Sequence, residues 1–391
     1  MRVAISATNP CHLWDLAREL SKGGTEVDYY SGYPKWRLPH ASSAPGGPEI
    51  HCSSARTLAT YGLLRVPERY RPANDSLFRW QDEGFDRAIS RRLRQADFIH
   101  GMPGQCLATF RRAKEMGILR ILNHASGPVE DQERIMDEEH RRHGRARKVS
   151  RRFDATYFAK EREEYELADF HCVASTLVRD QLVARSIDPE RIIVVPYGAD
   201  PLRFPKRQSL ASSGAFRIVF AGNSSLRKGI PDLLGALEKA GGRPWECHFL
   251  GHPTRETEHD FQSYCGQIPL IRQGALSQQQ LAEEFQKASV LVLPSAEEAF
   301  GLVVVQALQC GVPCIVSDRV GAKDLIQHRR NGSILSFPTH DVLLDELEWW
   351  ATHPMTVSEP YDWALPAQAF MKQHLQLLSR APAEQIALAL P

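Results

Sequence analysis

An acid, a glycine and a fresh helix start follow directly on an apolar run in Pro294-Ser295-Ala296-Glu297-Glu298-Ala299-Phe300-Gly301-Leu302-Val303-Val304-Val305-Gln306. Glu298 can project a carboxylate toward polyol hydroxyls. The first amides of a helix beginning near Gly301 have no intrahelical acceptor, and with the positive end of the helix dipole they suit a phosphate. Gln306 stands roughly 8 Å further along that helix at about 1.5 Å per residue, where it can read a second part of the same ligand. Taken alone, the same residues read better as a capping acid and a surface glutamine.

A second group lies upstream in Phe220-Ala221-Gly222-Asn223-Ser224-Ser225-Leu226-Arg227-Lys228-Gly229-Ile230. A strand, a glycine turn and a helix start in this order can hold a diphosphate by backbone amides on one side and Lys228 on the other. Arg227 stands open between a second cation for that ligand and a solvated helix-entry residue. Three histidines occupy positions with chemical reach. His124 ends the apolar run Arg120-Ile121-Leu122-Asn123-His124 at its carboxyl end, where open α/β sheets place their ligands. His100 has the same placement, and His12 opens a helix, where a histidine is more often structural or solvated.

These residues need a scaffold of strands that end at one face. Val290–Leu293 reads as a strand buried on both faces of a parallel sheet. Val3–Ser6, a helix from Leu13 to Lys22 closed by Gly23-Gly24, and the strand Glu26–Tyr30 form a β-α-β unit. Phe98–His100, Leu119–Asn123, Phe170–Ala174 and Ile192–Val195 read as later strands. Helical stretches around Cys106–Glu115, Val129–His143, Phe153–Ala168 and Thr176–Ala184 separate them. Ser175 would cap the last of these. Pro201 to Ala215 has the composition of a linker. The expected organisation is a first domain over 1–200, a linker over 201–215, a second doubly wound domain over 216–360 and a closing helix with a tail over 361–391.

The motifs in this order resemble the signature of retaining family 4 glycosyltransferases of the GT-B fold. The usual form there is Pro-Ser, a Glu, Gly-Phe-Gly-Leu and a second Glu; here Ala299 replaces the first glycine and Gln306 the second Glu. Gly311, Pro313, Gly321, Asp324 and Asn331-Gly332 fit the pattern downstream. Val194-Val195-Pro196-Tyr197-Gly198-Ala199-Asp200 is similar to the family's hinge-proximal Pro-Asn-Gly-Val-Asp, with Tyr197 in the Asn place. Upstream the family reads Gly-Arg, then Lys-Gly, and Asn223 occupies the Arg position. Thr8-Asn9-Pro10 stands where the family has a glycine-rich turn.

The resemblance implies two Rossmann-like domains facing a central cleft, with a helix opened by Tyr361-Asp362-Trp363 crossing back to the first domain. It implies transfer of a sugar from a nucleotide-sugar donor to a hydroxyl with retention at the anomeric carbon. The donor residues it points to are Gly222, Asn223, Arg227, Lys228, Glu298, Phe300, Gly301, Leu302 and Gln306. Lys228, Glu298 and His124 would carry the chemistry, with His124 beside the donor sugar, Glu298 on sugar hydroxyls and Gln306 on the ribose. The leaving diphosphate would itself accept the acceptor's proton, so no protein nucleophile is expected. The strand near Leu270–Gln273 and the turn at Gly274 would meet the base. Asn223 and Gln306 also fit a protein that keeps the fold without turnover, and the cleft alone fits a related nucleotide-sugar epimerase or phosphorylase.

Length and composition agree with two domains. The chain has 391 residues, 42% of them hydrophobic, enough for two ordinary cores. Its formal net charge of +1 gives no global attraction to nucleic acid, so nucleic acid is not an expected partner. The 8 cysteines lack a framework of pairs, and reduced thiols are expected. Cys310 and Cys314 are spaced like half of a metal site without a second half. No Asp-x-Asp occurs, so neither a required metal nor a resident cofactor is expected. The strand at Val3 leaves no room for a signal peptide, and no apolar run reaches the roughly 20 residues that span a bilayer. A cytoplasmic protein is expected. The basic run Arg141 to Arg152 is read as a solvated loop or as a contact for an anionic acceptor or the inner membrane face, with Arg145 and Arg147, together with His12, as acceptor-side residues.

Overall fold

The computed structural model describes residues 1–38, 46–147, 153–208 and 214–380. Among these, a seven-stranded sheet is built from β1 (Arg2–Ala7), β2 (Glu26–Ser31), β3 (Glu49–Cys52), β4 (Phe98–Gly101), β5 (Leu119–His124), β6 (Phe170–Val173) and β7 (Ile192–Val194) in the order β3-β2-β1-β4-β5-β6-β7. A six-stranded sheet is built from β8 (Phe216–Ala221), β9 (Trp245–Leu250), β10 (Leu270–Gln273), β11 (Val290–Leu293), β12 (Cys314–Ser317) and β13 (Gly332–Leu335) in the order β10-β9-β8-β11-β12-β13. Every pairing within both sheets is parallel. Central strands such as β5 and β11 are buried along their whole length. That requires helices on both faces, which is why these strands are apolar runs rather than alternating ones. The order in which strands are added reverses between β1 and β4 in one sheet and between β8 and β11 in the other, so each has a crevice at its carboxyl edge.

The two carboxyl edges meet. Ser175, just past β6, caps the helix Thr176–Ala184 by accepting from Val178 N, and its Oγ also donates to the carbonyl of Ala299 beyond β11 at 2.6 Å. Thr176 donates from N and Oγ1 to the Asp324 carboxylate at 2.6 and 2.7 Å. The helix Ala364–Arg380 crosses back to the first sheet as expected: Phe370 packs against His100 with ring centroids 4.9 Å apart, and Thr25 Oγ1 lies 3.3 Å from Met371 Sδ. The architecture is GT-B: two doubly wound domains, a cleft between their strand ends, and a returning C-terminal helix. Residues 209–213 of the expected linker and 381–391 of the expected tail lie outside the described residues. No helix among the described residues is long and apolar enough to cross a membrane.

Most expected elements appear with ends shifted by a residue or two. The helix expected from Phe153 runs over Ala155–Leu167, because the Asp154 side chain accepts from Tyr157 N at 2.9 Å and caps it there. The stretch between β2 and β4, unassigned from sequence, holds β3 and the helices Ala55–Leu63 and Asn74–Ser90. β3 is a short edge strand of mixed polarity. The helix Ala55–Leu63 buries Thr57 and Thr60 while exposing Leu58 and Tyr61, the inverse of the pattern that signals an amphipathic helix.

Candidate active site

The strand β8 is followed by Gly222, whose φ of +133° favours glycine. A single turn of 3₁₀ helix, Leu226–Lys228, then leads through Gly229 (φ +71°) into the helix Ile230–Lys239. A Cβ on Gly229 would lie 2.0 Å from the Pro294 carbonyl oxygen, so glycine alone lets this turn lie against the end of β11. That packing brings Lys228 to the acid. Its Nζ touches Glu298 Oε2, and the two side chains are 12% and 16% exposed. Arg227 reaches Glu297 Oε2 at 3.0 Å and Glu298 Oε2 at 3.6 Å, and the Glu297 carbonyl accepts from it at 3.1 Å. Arg227, left open by the sequence, therefore stands beside Lys228, and the buried Glu297, unremarked there, is its anchor. The side chain of Asn223, at the position where the family carries an Arg, is exposed and makes no hydrogen bond to this group.

Burial and the neighbouring Arg227 hold the Lys228 ammonium down to about 7, with Glu297 acting against them. The contacting Glu298 carboxylate also favours the charged form, so the titration belongs to the pair rather than to either residue. The arrangement is a compact cluster of two cations on two carboxylates at the mouth of the cleft. An incoming phosphate would compete for the cations, leaving Glu298 to accept from hydroxyls.

Beyond Glu298 the chain passes the buried Phe300 and turns at Gly301, φ +94°, to start the helix Leu302–Gln309 with no side-chain cap. The amides of Leu302 and Val303 thus have no intrahelical acceptor. The loop is fixed from below, since Gly321 N donates to the Glu298 carbonyl at 2.8 Å and Ala322 N to the Phe300 carbonyl at 2.7 Å. A Cβ on Gly321 would meet the Ala299 oxygen at 2.0 Å and Ser175 Oγ at 2.6 Å, so this glycine also permits the contact between domains.

A ring stack ties the first domain to this loop. Tyr197 packs edge-on to Phe300 with centroids 4.9 Å apart and stacks on His12 at 4.1 Å. His12 Nε2 lies 3.0 Å from Asn123 Oδ1. Burial pushes the His12 imidazole down to about 4, although Asn123 opposes this, so it is a neutral hydrogen-bonding group near pH 7. A cavity of about 230 Å³ opens beside the stack, lined by His12, Asp15, Arg203, Leu302 and Gln306 among others. His12 and Gln306, from opposite domains, share this cavity, and Lys228 and Glu298 do not line it. Asn123 and Tyr197 carried no sequence signal beyond their places at a strand end and in the hinge.

His124 ends β5 as expected. Its imidazole is buried, with Nε2 3.0 Å from His171 Nδ1 and the ring edge-on to Tyr165 at 5.2 Å. Burial and His171 hold its pKa well below the usual histidine value. His124 Nδ1 has no hydrogen-bond partner. No hydrogen bond joins His124 to Lys228 or Glu298.

Arg145 and Arg147, expected on the acceptor side, are partnered within the fold. Arg145 is bound to Asp260 and the Glu256 carbonyl of the second domain, and Arg147 to Glu133 and Asp137, the latter at 2.8 Å. Their charge is neutralised within the fold because helix Val129–Arg142 ends against acidic groups of both domains; Arg142 likewise reaches Asp232 at 2.9 Å. Lys148 to Arg152 of the basic run lie outside the described residues. Among the described residues, Asp28, Glu49 and His51 form one group with metal-ligand spacing. It lies on β2 and β3, away from the Lys228–Glu298 cluster, and Arg2 and Arg94 pair with its acids at 2.9 and 2.7 Å.

Residues 203–362 match the family model of glycosyl transferases group 1. The chain is 28% identical over 194 residues to the lipopolysaccharide 1,6-galactosyltransferase of Escherichia coli, covering 45% of this chain and 50% of that protein. It is 26% identical over 333 residues to the MMP α-(1→4)-mannosyltransferase of Mycolicibacterium hassiacum, covering 78% and 76%. The chain thus spans about half the length of the galactosyltransferase it matches. Among solved structures it is similar to sucrose-phosphate synthase of Thermosynechococcus elongatus, with a TM-score of 0.70, 16% identity and coverage of 97% and 100%. It is also similar to HepE of Anabaena in complex with UDP-glucose, with a TM-score of 0.65, 13% identity and coverage of 97% and 100%. The Lys228 turn, the Glu298 loop and the uncapped Leu302 helix of this GT-B chain all lie inside the segment that matches the glycosyl transferases group 1.

Proposed function

We propose that the protein transfers a sugar from a nucleotide-sugar donor to a hydroxyl acceptor with retention of anomeric configuration. The observation that carries this reading is the packing of Lys228 and Arg227 onto Glu298 beside the uncapped start of helix Leu302–Gln309. When the bond between the anomeric carbon and the phosphate oxygen breaks, negative charge grows on the leaving diphosphate. Lys228, Arg227 and the amides of Leu302 and Val303 would stabilise it, which is where preorganised charge acts most strongly. Glu298, released from Lys228 by the arriving phosphate, holds sugar hydroxyls. The acceptor hydroxyl attacks the same face and gives its proton to a phosphate oxygen of the leaving group, so a glycosidic bond replaces the glycosyl phosphate bond.

Arg227 and Lys228 bring the positive charge that a divalent ion would otherwise supply, and the reaction is read as metal-independent. Gln306, on the wall shared with His12, is assigned to the ribose, and His124 to the donor sugar. HepE bound to UDP-glucose makes UDP-sugars the first donors to try. The lipopolysaccharide galactosyltransferase makes a cell-envelope glycan or lipid-linked glycan the first acceptor class. The test is a transfer assay over UDP-, GDP- and ADP-sugars with the anomeric configuration of the product read by NMR. Transfer with retention that vanishes in Glu298→Ala supports the reading; donor isomerisation without an acceptor points to an epimerase. The exposed Asn223 at the family's Arg position and the amide of Gln306 favour one other reading, a protein that binds without turnover. A Glu298→Ala variant that keeps every measurable property of the parent would select it.

A further inference from the structure

Helix Ala55–Leu63 wears its polarity inside out. Thr57 and Thr60 are 1% and 0% exposed, and their hydroxyls have no hydrogen-bond partner. Leu58 and Tyr61, one helical turn apart on the outer face, are 51% and 41% exposed. A helix that buries hydroxyls and shows leucine and tyrosine to water is stable only because the rest of the domain holds it. Its outer face is built for something other than water.

That face does not stand alone. Tyr61 touches Tyr33 with centroids 5.9 Å apart, and Tyr33 leads into the turn Lys35–Arg37 that carries the exposed Trp36. Leu63, Val66, Tyr70 and Trp80 extend the exposed apolar set along the same segment. Arginines are interleaved with it. Arg56 lies over the Trp80 ring at 4.7 Å, Arg69 over Tyr70 at 4.7 Å and Arg37 over Trp36 at 4.8 Å. Arg56 and Arg71 donate to backbone carbonyls of Trp80, Val66 and Pro72, and Arg56, Arg65, Arg69 and Arg71 make no ion pair among the described residues. Aromatic and aliphatic side chains mixed with unneutralised arginines are the composition of a surface that rests in the headgroup layer of an anionic bilayer.

The patch also has a direction. β2 and β3 run parallel to β1, so Tyr33 and helix Ala55–Leu63, which follow their carboxyl ends, lie at the end of the sheet that faces the cleft. A membrane bound there would lie alongside the cleft of the first domain. We propose that Trp36, Leu58, Tyr61, Tyr70 and Trp80, with Arg56, Arg65 and Arg69, form a docking surface for a bilayer carrying anionic lipid. It stands apart from Arg142, Arg145 and Arg147 of the basic run, which are partnered within the fold. The proposal needs no donor or acceptor, so it stands or falls independently of the transferase reading.

The test is flotation of the full chain with phosphatidylcholine vesicles, with and without phosphatidylglycerol. Binding is expected only to the anionic vesicles and to weaken with salt. Each basic residue near such a surface contributes about 1 kcal/mol, or about fivefold in partition. Arg65→Gln with Arg69→Gln should therefore lower binding roughly 30-fold. Leu58→Ser with Tyr61→Ser should abolish it, with melting temperature and nucleotide binding unchanged. Arg145→Gln should leave vesicle binding intact. Vesicle binding untouched by both double variants would overturn the proposal. So would a dimer in sedimentation equilibrium that the Leu58/Tyr61 variant converts to a monomer, since the patch would then be a subunit interface.

Discussion

Replacing Lys228 by Met separates the folding role of the Lys228–Glu298 pair from its role on a ligand. The change removes the ammonium and keeps a stem of similar length. Breaking a buried ion pair from one side costs about 3–5 kcal/mol, because the remaining charge is left unpaired in a poorly solvated place. Here Glu298 retains Arg227 at 3.6 Å and is 16% exposed, which puts the cost just below that range, about 2–3 kcal/mol. At roughly 2–4 °C per kcal/mol for domains of this size, the melting temperature should fall by roughly 5–10 °C. Lys228→Met combined with Glu298→Met should recover most of that loss, since an apolar pair of similar volume replaces both charges.

Nucleotide binding should not recover with it. A charge-assisted bond to phosphate is worth about 1.5–3 kcal/mol, so both the single and the double variant should bind a nucleoside diphosphate about 10- to 150-fold more weakly. The assay is thermal denaturation of the four members of the double-mutant cycle, with calorimetric titration of the same samples. Strictly additive stability losses would refute the coupling between Lys228 and Glu298. Unchanged nucleotide affinity in Lys228→Met would refute the placement of the phosphate beside it.

The lowered Lys228 pKa of about 7 has opposite signs for folding and for binding. The folded value lies below the ordinary lysine value of 10.5, so holding the proton costs stability, fully below about pH 7 and not at all above the unfolded pKa. Anion binding needs the proton, so nucleoside diphosphate affinity should fall by about tenfold per pH unit above 7, and a flat affinity between pH 6 and 9 would contradict it. Tyr197→Ala removes the ring between His12 and Phe300 and should cost about 3–5 kcal/mol in denaturant unfolding. Tyr197→Phe should cost less than about 1 kcal/mol, because the hydroxyl reaches the His124 carbonyl only at 3.4 Å. Gln306→Glu should tighten a ribose-bearing nucleotide about fivefold in titration by restoring a charged acceptor, with no gain for pyrophosphate; a gain for both would remove Gln306 from the ribose.

How far the sequence carried depends on whether a signal was local. β11 and the Gly301 turn were legible because a buried parallel strand is a bare apolar run and the helix start after it has a positive-φ glycine. Lys228 and Glu298 were legible as separate residues, but their contact was not. It arises from Gly229 packing on the Pro294 carbonyl, a long-range approach that no spacing encodes. Arg227 could not be assigned from sequence because its anchor, Glu297, lies 70 positions away. His124 was found at its strand end, whereas His171, which faces it from the neighbouring strand, reads in sequence as one polar residue in an apolar run. The partners of Arg142 and Arg145 were illegible for the same reason: a charge cluster looks solvated until Asp232, Asp260 and the Glu256 carbonyl are brought in from the other domain. Helix Ala55–Leu63 escaped notice because its buried face is threonine.

Calorimetric titration of the unmodified protein with UDP, GDP and ADP in the presence of a chelator tests the central claim most directly. The account predicts that one of the three binds at a single site, unaffected by the chelator and weakened by Lys228→Met. A folded protein that binds none of them, or binds only when a divalent ion is restored, would contradict the assignment of Lys228, Arg227 and the Leu302 helix start as the seat of a nucleotide-sugar diphosphate.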